Sequence, residues 1–309
     1  MSSYQQIDVT QDIMQQLPGE VVAHIASFTE KADLNNLRLA SPNAAAKSSI
    51  EFAKQNLQHL RVNIRIALGD YENWHIRGIT AWDHFISSDI EAVIKILDDN
   101  DRAGFVQEIT FVEVREYDIA PTIDTSRDPS APNHGIGTTE AGRLLGALLS
   151  KLTSLRKVTL SSAKGPTMDL LLYALKCRPQ LRPVSLTVDH GYFEDERVFT
   201  PILSLFSQSL RALHLTNVRF TGLGWRNLLA HIRDESQIED FTEEGSTILN
   251  RSEYLLDTTA ISADLSAEVP GSEVYRLQAG SAVMKGKIGV RTGVDELWRL
   301  TRRHHWGDR

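Results

Sequence analysis

LPGEVVAHIASF (residues 17–28) and KADLNNLRLA (residues 31–40) are the two stretches that decide how the start of this chain folds. Pro18 falls in the first turn of a predicted helix, where its missing N–H costs nothing, and Glu20 lies near the positive end of the helix dipole. The apolar residues at helical spacing in this helix are Val21, Val22, Ile25 and Phe28. A second helix is predicted through Leu34, Leu37 and Leu39. A third runs through the alanines to Phe52, with Asn43 as its N-terminal cap.

Three short helices of roughly 40 residues bury too little surface to be stable alone. They need a partner, either the rest of the chain or another protein. The order Leu-Pro-x-Glu, an apolar pair, Ile and then Leu-x-x-Leu-Arg-Leu resembles the F-box over residues 17–54. In that family the segment docks on the Skp adaptor of cullin-RING ubiquitin ligases. The resemblance implies an adaptor-binding set made of Leu17, Pro18, Glu20, Val21, Ile25, Leu34, Leu37 and Leu39.

The segment departs from the family pattern at two places. Thr29 stands where the family prefers an apolar residue at the end of the first helix, and Ser41, Pro42, Asn43 and the alanines replace the usual Cys and aromatic residue of the third helix. The alternative interpretation is an ordinary amphipathic helical hairpin that packs on the chain's own core. The two interpretations differ in whether the apolar face of these helices stays uncovered by the rest of the polypeptide.

Composition bounds the class of protein. The 309 residues are 41% hydrophobic and 24% charged, which is typical of a globular protein with one large domain or a small module plus a larger domain. The net charge of −7 gives no nucleic-acid footprint. A single cysteine, Cys177, excludes an internal disulfide and fits a reducing compartment. With no apolar signal segment and no long apolar run, we expect a cytoplasmic or nuclear protein that does not bind membranes.

A β-α unit recurs after the helices. Residues 60–66 alternate between apolar and polar and predict a strand with one wet face. Further strands of the form apolar-x-x-apolar-x-apolar begin at residues 106, 155, 181 and 210, and a weaker one at residue 238. The last four starts step by 26, 29 and 28 residues, which is the period of leucine-rich repeats. Between the strands lie amphipathic helices that each open on a threonine, namely Thr139, Thr167, Thr200 and Thr221.

Stacked units of this kind predict a curved solenoid sheet lined on the outside by helices, and an ordinary parallel α/β sheet is the rival interpretation. The units lack the regular asparagine of the best-known consensus and are similar to the irregular repeats that follow an F-box in large fungal and plant families. The predicted fold class is therefore α/β: an N-terminal three-helix F-box module followed by an irregular leucine-rich-repeat-like β-α solenoid.

The sequence divides into four regions. We expect a flexible leader over residues 1–15, the F-box-like helical module over 16–55, the leucine-rich-repeat-like β-α region over 56–248, and a C-terminal cap with a basic tail over 249–309. Prolines and glycines predict a mobile insertion at 118–138. Within the cap, strands are predicted at 273–277 and 287–291 and a helix over 294–303, which together cover the last apolar face of the solenoid.

The sequence contains no recognisable catalytic constellation, metal-ligand spacing or cofactor motif, so we expect no enzymatic activity, metal or cofactor. The predicted solenoid instead offers a surface, because residues between the apolar strand positions face outward on its concave side. These residues are mixed, small and polar, which suits hydrogen bonding to another protein. The predicted substrate-binding set is Lys157, Thr159, Ser161, Ser185, Thr187, Asp189, His214 and Thr216.

Together these features predict the substrate-recognition subunit of an SCF-type cullin-RING E3 ubiquitin ligase. It would bind a Skp-type adaptor through the N-terminal helices and an unknown protein substrate through the repeats, and neither nucleic acid nor membrane. One alternative is a leucine-rich-repeat interaction module with no ligase role, whose N-terminal helices only cap the solenoid. The other is an enzyme with an α/β core, which a deep pocket of converging ionisable groups would favour.

Overall fold

The computed structural model describes residues 13–67, 85–86, 88–116, 140–163, 165–191, 196–245, 247–249, 256–257, 265–269, 273–278 and 281–306. The insertion predicted at 118–138 lies outside the described residues. Most of the predicted leader also lies outside them, but its last residues, from Ile13 onward, belong to a helical turn. Helical structure therefore begins a little before the predicted boundary of the module.

The described part of the chain begins with five short helices that pack into one helical module. Their bounds are α1 (Ile13–Gln16), α2 (Gly19–Phe28), α3 (Lys31–Ala40), α4 (Pro42–Lys47) and α5 (Ser49–Asn56). Helix α2 packs on α4 and α5, and α3 packs on the same two helices. Small or medium apolar side chains fill the space between them, and those fully buried are Val22, Ala26, Leu34, Ala44 and Ala53.

The predicted third helix is in fact two helices, and its predicted cap is wrong. Ser41, not Asn43, is the N-cap of α4, because the Ser41 hydroxyl accepts a hydrogen bond from the Ala44 N–H at 3.1 Å. Pro42 occupies the first helical position, where it needs no donor. The helix ends at Lys47, and α5 begins at Ser49 after a single intervening residue.

The rest of the described chain first alternates strands with helices and then runs through six successive strands to a last helix. In chain order these are β1 (His59–Ala67), β2 (Phe85–Ile86), α6 (Ser88–Asp98), a 3-10 helix (Asp99–Phe105), β3 (Glu108–Glu116), α7 (Glu140–Lys151), β4 (Lys157–Ser161), α8 (Gly165–Lys176), β5 (Ser185–Asp189), α9 (Glu196–Leu205), β6 (Ala212–Thr216), β7 (Arg219–Thr221), α10 (Gly222–Asp234), β8 (Asp240–Glu244), β9 (Thr247–Leu249), β10 (Leu256–Asp257), β11 (Leu265–Val269), β12 (Glu273–Gln278), β13 (Ser281–Lys285) and α11 (Gly286–Trp306).

Ten of these strands form one sheet, in the order β11-β12-β13-β8-β6-β5-β4-β3-β1-β2. The central strands β1, β3, β4, β5, β6 and β8 are parallel and follow one another in chain order. The flanking strands are antiparallel, with β2 on one side and β13, β12 and β11 on the other. A separate three-stranded sheet has the order β10-β9-β7.

The helices form a single row in which each contacts the next, from α6 to α11. Alternate residues of each central strand are buried together with these helices in one hydrophobic core, as Val158 and Leu160 of β4 are. Leu186 and Val188 of β5 repeat the same alternation. The mixed α/β class with a mostly parallel sheet is therefore confirmed.

Several local expectations are wrong. Val184, the second apolar position of the strand predicted from residue 181, was expected to face the core but is 41% exposed, because β5 begins one residue later, at Ser185. Thr167 and Thr200 lie inside α8 and α9 and do not precede them. The strand predicted at 287–291 is the start of α11, and β13 precedes it. Strand alternation was visible in the sequence, but the residue at which each element begins was not.

A left-handed residue follows four consecutive parallel strands. Ser162, His190, Asn217 and Gly245 come directly after β4, β5, β6 and β8, with φ values of 57°, 53°, 50° and 62°. Three of their N–H groups donate to the end of the next strand: Ser162 to Asp189 (2.8 Å), His190 to Thr216 (2.8 Å) and Asn217 to Glu244 (2.7 Å). The turn at the end of each parallel strand is therefore repeated, although only one of the four positions carries glycine.

We expect Gly245→Ala to destabilise the fold. A left-handed φ costs roughly 1–2 kcal/mol for a residue with a Cβ, and a Cβ at this position would lie 2.5 Å from the Asn217 side-chain oxygen. In an Asn217→Gly background the steric part disappears, so the loss of unfolding free energy should be smaller. Urea unfolding of the two single variants and the double variant measures this coupling.

Gly104→Ala is the matched control, because a Cβ there meets nothing within 4 Å and its φ is not left-handed. We expect that variant to change the unfolding free energy little. Equal losses for Gly245→Ala in both backgrounds would contradict the close approach to Asn217.

Candidate binding surfaces

The first candidate surface is an apolar stripe on the outer side of α2. Val21, Ile25 and Phe28 are spaced at i, i+4 and i+7, so they lie on one side of the helix. They are 42%, 43% and 78% exposed, whereas Val22 and Ala26 of the same helix are fully buried. We call these three residues the outer stripe. The spacing of apolar residues in the sequence does not distinguish the buried face of α2 from its exposed face.

The other members of the predicted adaptor-binding set are spread over both faces of the module. Leu39 at the end of α3 is 86% exposed, and Pro18 and Glu20 at the start of α2 are also exposed. Leu17 and Leu37 are half-buried. Leu34 is fully buried, so its contacts in this conformation are within the module. Phe28 and Ile50, two large exposed apolar residues of the module, were not in the predicted set.

Arg38 holds the inner side of the module together. Its guanidinium lies 4.1 Å from the centre of the Phe52 ring and donates to the Ser48 hydroxyl (3.1 Å) and to the Ala45 carbonyl oxygen. Burial, and then the nearby positive charge of Arg102, lower the pKa of Arg38 from its ordinary value. Arg102 belongs to the 3-10 helix that leads into β3, and α5 contacts this same helix.

The second candidate surface is the face of the parallel sheet opposite the row of helices. All eight residues of the predicted substrate-binding set are half-buried on this open face: Lys157, Thr159, Ser161, Ser185, Thr187, Asp189, His214 and Thr216. The strands pair without stagger, so these side chains form rows across the sheet. Thr159 pairs with Thr187, which pairs with His214.

Hydrogen bonds connect side chains where these strands end. The Ser161 hydroxyl donates to the Asp189 carboxylate (3.2 Å), and His190 Nδ1 lies 2.7 Å from the same carboxylate. On the other side of the ring, the Asn217 side-chain amide nitrogen lies 3.3 Å from His190 Nε2. Both ring nitrogens are thereby engaged, and the arrangement orders the strand ends. The serine bonds the carboxylate rather than the imidazole, so the group is not arranged as a nucleophile with its base.

Charges on the open face are mostly paired. Lys157 lies 3.7 Å from Glu108 on β3, and Lys285 of β13 pairs with Asp240 on β8. His214 lies between these pairs. Desolvation is the largest influence on its ring and lowers its pKa from the ordinary value of 6.5; Asp240 opposes this effect, and Lys285 and Lys157 add to it.

The third candidate surface is an open cleft where the helical module meets the sheet, with a volume of about 710 Å³. The module supplies Lys31 of α3 and the end of α5, and the sheet supplies residues from β1, β3 and β4. The residues that line the cleft are Lys31, Gln55, Asn56, Gln58, His59, Arg61, Thr110, Val112, Ser161 and Ser162. On the sheet side, His59 Nε2 lies 2.9 Å from the Thr110 hydroxyl oxygen.

The sequence indicates only part of this cleft. The alternation along β1 placed Arg61 on a wet face, and Ser161 was among the predicted substrate-binding residues. No sequence signal pointed to Lys31 or Gln55, because they reach the site through the packing of the module on the sheet. Residues far apart in the chain, from three strands and two helices, form one lining.

Within the described ranges, no group of three or more His, Cys, Asp or Glu residues is placed to hold a metal ion. None of the helices in the described part of the chain has the length and hydropathy that crossing a membrane requires. Comparison with protein-family models and with curated sequences found no match to this chain.

The lowered pKa of His214 predicts a pH-dependent stability. Because the unfolded chain binds a proton more readily than the folded chain, unfolding is favoured as the pH falls below about 6.5. We expect the wild type to lose unfolding free energy relative to His214→Gln between that pH and the lower pKa of the folded state. Urea unfolding of both proteins from pH 8 to pH 4.5 measures this difference.

The comparison at pH 8 gives the packing effect of the substitution alone, because both proteins are uncharged at this position there. A difference between the two proteins that stays constant over the whole range would contradict the lowered pKa.

Proposed function

We propose that this chain is the substrate-recognition subunit of an SCF-type cullin-RING ubiquitin ligase. In this proposal the helical module binds a Skp-type adaptor, and the open face of the sheet binds a protein substrate. The proposal is supported by the F-box-like order of residues 17–54 and by the two uncovered surfaces. The single observation that carries it is the outer stripe, an apolar surface that the remainder of the described chain leaves exposed.

The outer stripe favours a docking role over a purely internal one. A hairpin that packed only on the chain's own core would bury its largest apolar side chains, yet this module buries mainly alanines and exposes Ile25, Phe28 and Leu39. Contiguous exposed apolar residues on a helix commonly mark a surface for another protein. Exposing them to water without a partner gains nothing for folding.

The proposed mechanism is scaffolding, and this chain supplies no reacting group. The adaptor holds one end of the chain within the ligase, and the open face holds the substrate near a conjugating enzyme carried elsewhere in the complex. Tethering converts a bimolecular encounter into an intramolecular one and raises the effective concentration of the substrate. The irregular leucine-rich-repeat-like solenoid remains part of the proposal, supported by parallel strands in chain order with a single row of helices.

Removing apolar area from the outer stripe tests the adaptor interaction. We expect Ile25→Ala/Phe28→Ala to weaken binding to purified Skp adaptor at least about tenfold, because buried interface anchors each contribute about 1–2 kcal/mol. Both side chains are exposed, so the fold should be retained. Isothermal titration of wild type and variant with the adaptor measures the change, and circular dichroism checks folding.

The matched control is Val184→Ala/Ile288→Ala, which removes exposed apolar area outside the module. We expect the control to bind the adaptor as the wild type does. Failure of the wild type itself to bind would overturn the ligase role and leave the interaction module without ligase function. Unchanged binding by the stripe variant would place the contact elsewhere on the chain.

A further inference from the structure

The cleft between the module and the sheet has a charge unlike that of the whole chain. The chain has a net charge of −7, yet the cleft is lined by Lys31, Arg61 and His59 and by no carboxylate. In the part of the chain that the structure describes, neither Lys31 nor Arg61 makes an ion pair. Arg61 is exposed on β1 and Lys31 is exposed at the start of α3.

The remaining lining is suited to a peptide. The side-chain amides of Gln55, Asn56 and Gln58 offer both donors and acceptors, although Gln55 and Asn56 each donate one N–H to a carbonyl oxygen of the module. The Ser161 hydroxyl donates to Asp189 and leaves its oxygen as an acceptor. The cleft crosses β1, β3 and β4, so it spans two strand spacings of about 4.8 Å each. That length accommodates about three residues of an extended chain. Beyond β4, the row of Ser161 continues with Asp189 on β5 and Thr216 on β6, both of which are half-buried on the open face.

We propose that this cleft binds a short acidic segment of a protein partner, with its carboxylates held by Lys31 and Arg61. If the proposed function is correct, that partner is the ligase substrate, and the acidic segment defines the class of substrate it recognises. The flanking residues of the segment lie across the sheet and exchange hydrogen bonds with the hydroxyls and amides of the open face. Arg61 can accept a carboxylate on two of its donors, whereas Lys31 acts as a point charge.

The composition of the lining argues against a nucleic acid. Single-stranded nucleic acids bind to grooves that combine many cations with aromatic rings for base stacking. This lining contains no Phe, Tyr or Trp and only two permanently charged cations. A few carboxylates in one extended segment match that number of charges.

The probe is a fluorescein-labelled heptapeptide with three consecutive aspartates, compared with the same peptide carrying three asparagines. We expect the full-length chain to bind the aspartate peptide at least about tenfold more tightly by fluorescence anisotropy at low salt, with binding that weakens as salt increases. Lys31→Gln/Arg61→Gln should lose about tenfold in affinity for it, because each exposed charge contributes a few-fold. The double reversal Lys31→Glu/Arg61→Glu should instead prefer a peptide with three lysines.

The matched control is Lys95→Gln/Lys176→Gln, which removes two exposed positive charges from α6 and α8 in the row of helices on the other side of the sheet and should bind as the wild type does. Equal affinity for the aspartate and asparagine peptides would overturn the proposal. An equal loss of affinity for the aspartate peptide in Lys31→Gln/Arg61→Gln and in the control variant would also overturn it. Displacement of the peptide by inorganic phosphate at similar concentration would also overturn it, because the cleft would then hold a free anion. All measurements use the chain without adaptor, so their failure is distinct from a failure of adaptor binding.

Discussion

Burial of one side of a parallel sheet is the constraint on which the other features depend. Along β4, β5 and β6, alternate side chains enter a core shared with a single row of helices, and the residues between them remain half-buried on the opposite face. Because neighbouring strands pair without stagger, the side chains on that face are aligned in rows that cross the strands. Leu160 and Val188 thereby fix the positions of Thr159 and Thr187 as firmly as they fix the core.

The helical module is packed differently from the sheet. Its interior is small, and Ala26, Ala44 and Ala53 let the helices approach closely. Little volume is left inside for the larger apolar residues, which therefore face outward on α2 and at the end of α3. Arg38 compensates on the inner side by combining a ring contact with two hydrogen bonds across three helices. An exposed apolar stripe is the consequence of an alanine-rich interior, and it is the feature that a partner helix could use.

Periodicity predicted whether an element is a helix or a strand better than it predicted its limits, with the exception of the strand expected at 287–291, which is helical. All eight residues that the alternation predicted to face outward are half-buried on the open face, because side chains in a strand point to opposite faces wherever the strand begins. The predicted first residues of several helices and strands were wrong, because the features that set them are not part of the apolar pattern. Ser41 caps α4 because its hydroxyl reaches the Ala44 N–H, and Asn43 lies already inside the helix. The apolar set of α2 was recognised as one stripe, yet the side that faces inward depends on which helices pack against it.

The cleft could not be predicted from the sequence because its lining comes from segments far apart in the chain. For the same reason the cleft lies where the helical module joins the sheet. The module is attached to the sheet by a short connection: the Gln58 carbonyl oxygen accepts hydrogen bonds from the N–H groups of Gln107 (2.9 Å) and Glu108 (2.8 Å), next to the start of β1. Helix α5 also contacts the 3-10 helix that precedes β3. A short, hydrogen-bonded junction limits how far the outer stripe can swing relative to the open face. In the proposed function, the gain from tethering depends on how narrowly the positions of the two sites are restricted. A substrate segment anchored at this junction would then occupy the part of the sheet whose position relative to a bound adaptor varies least.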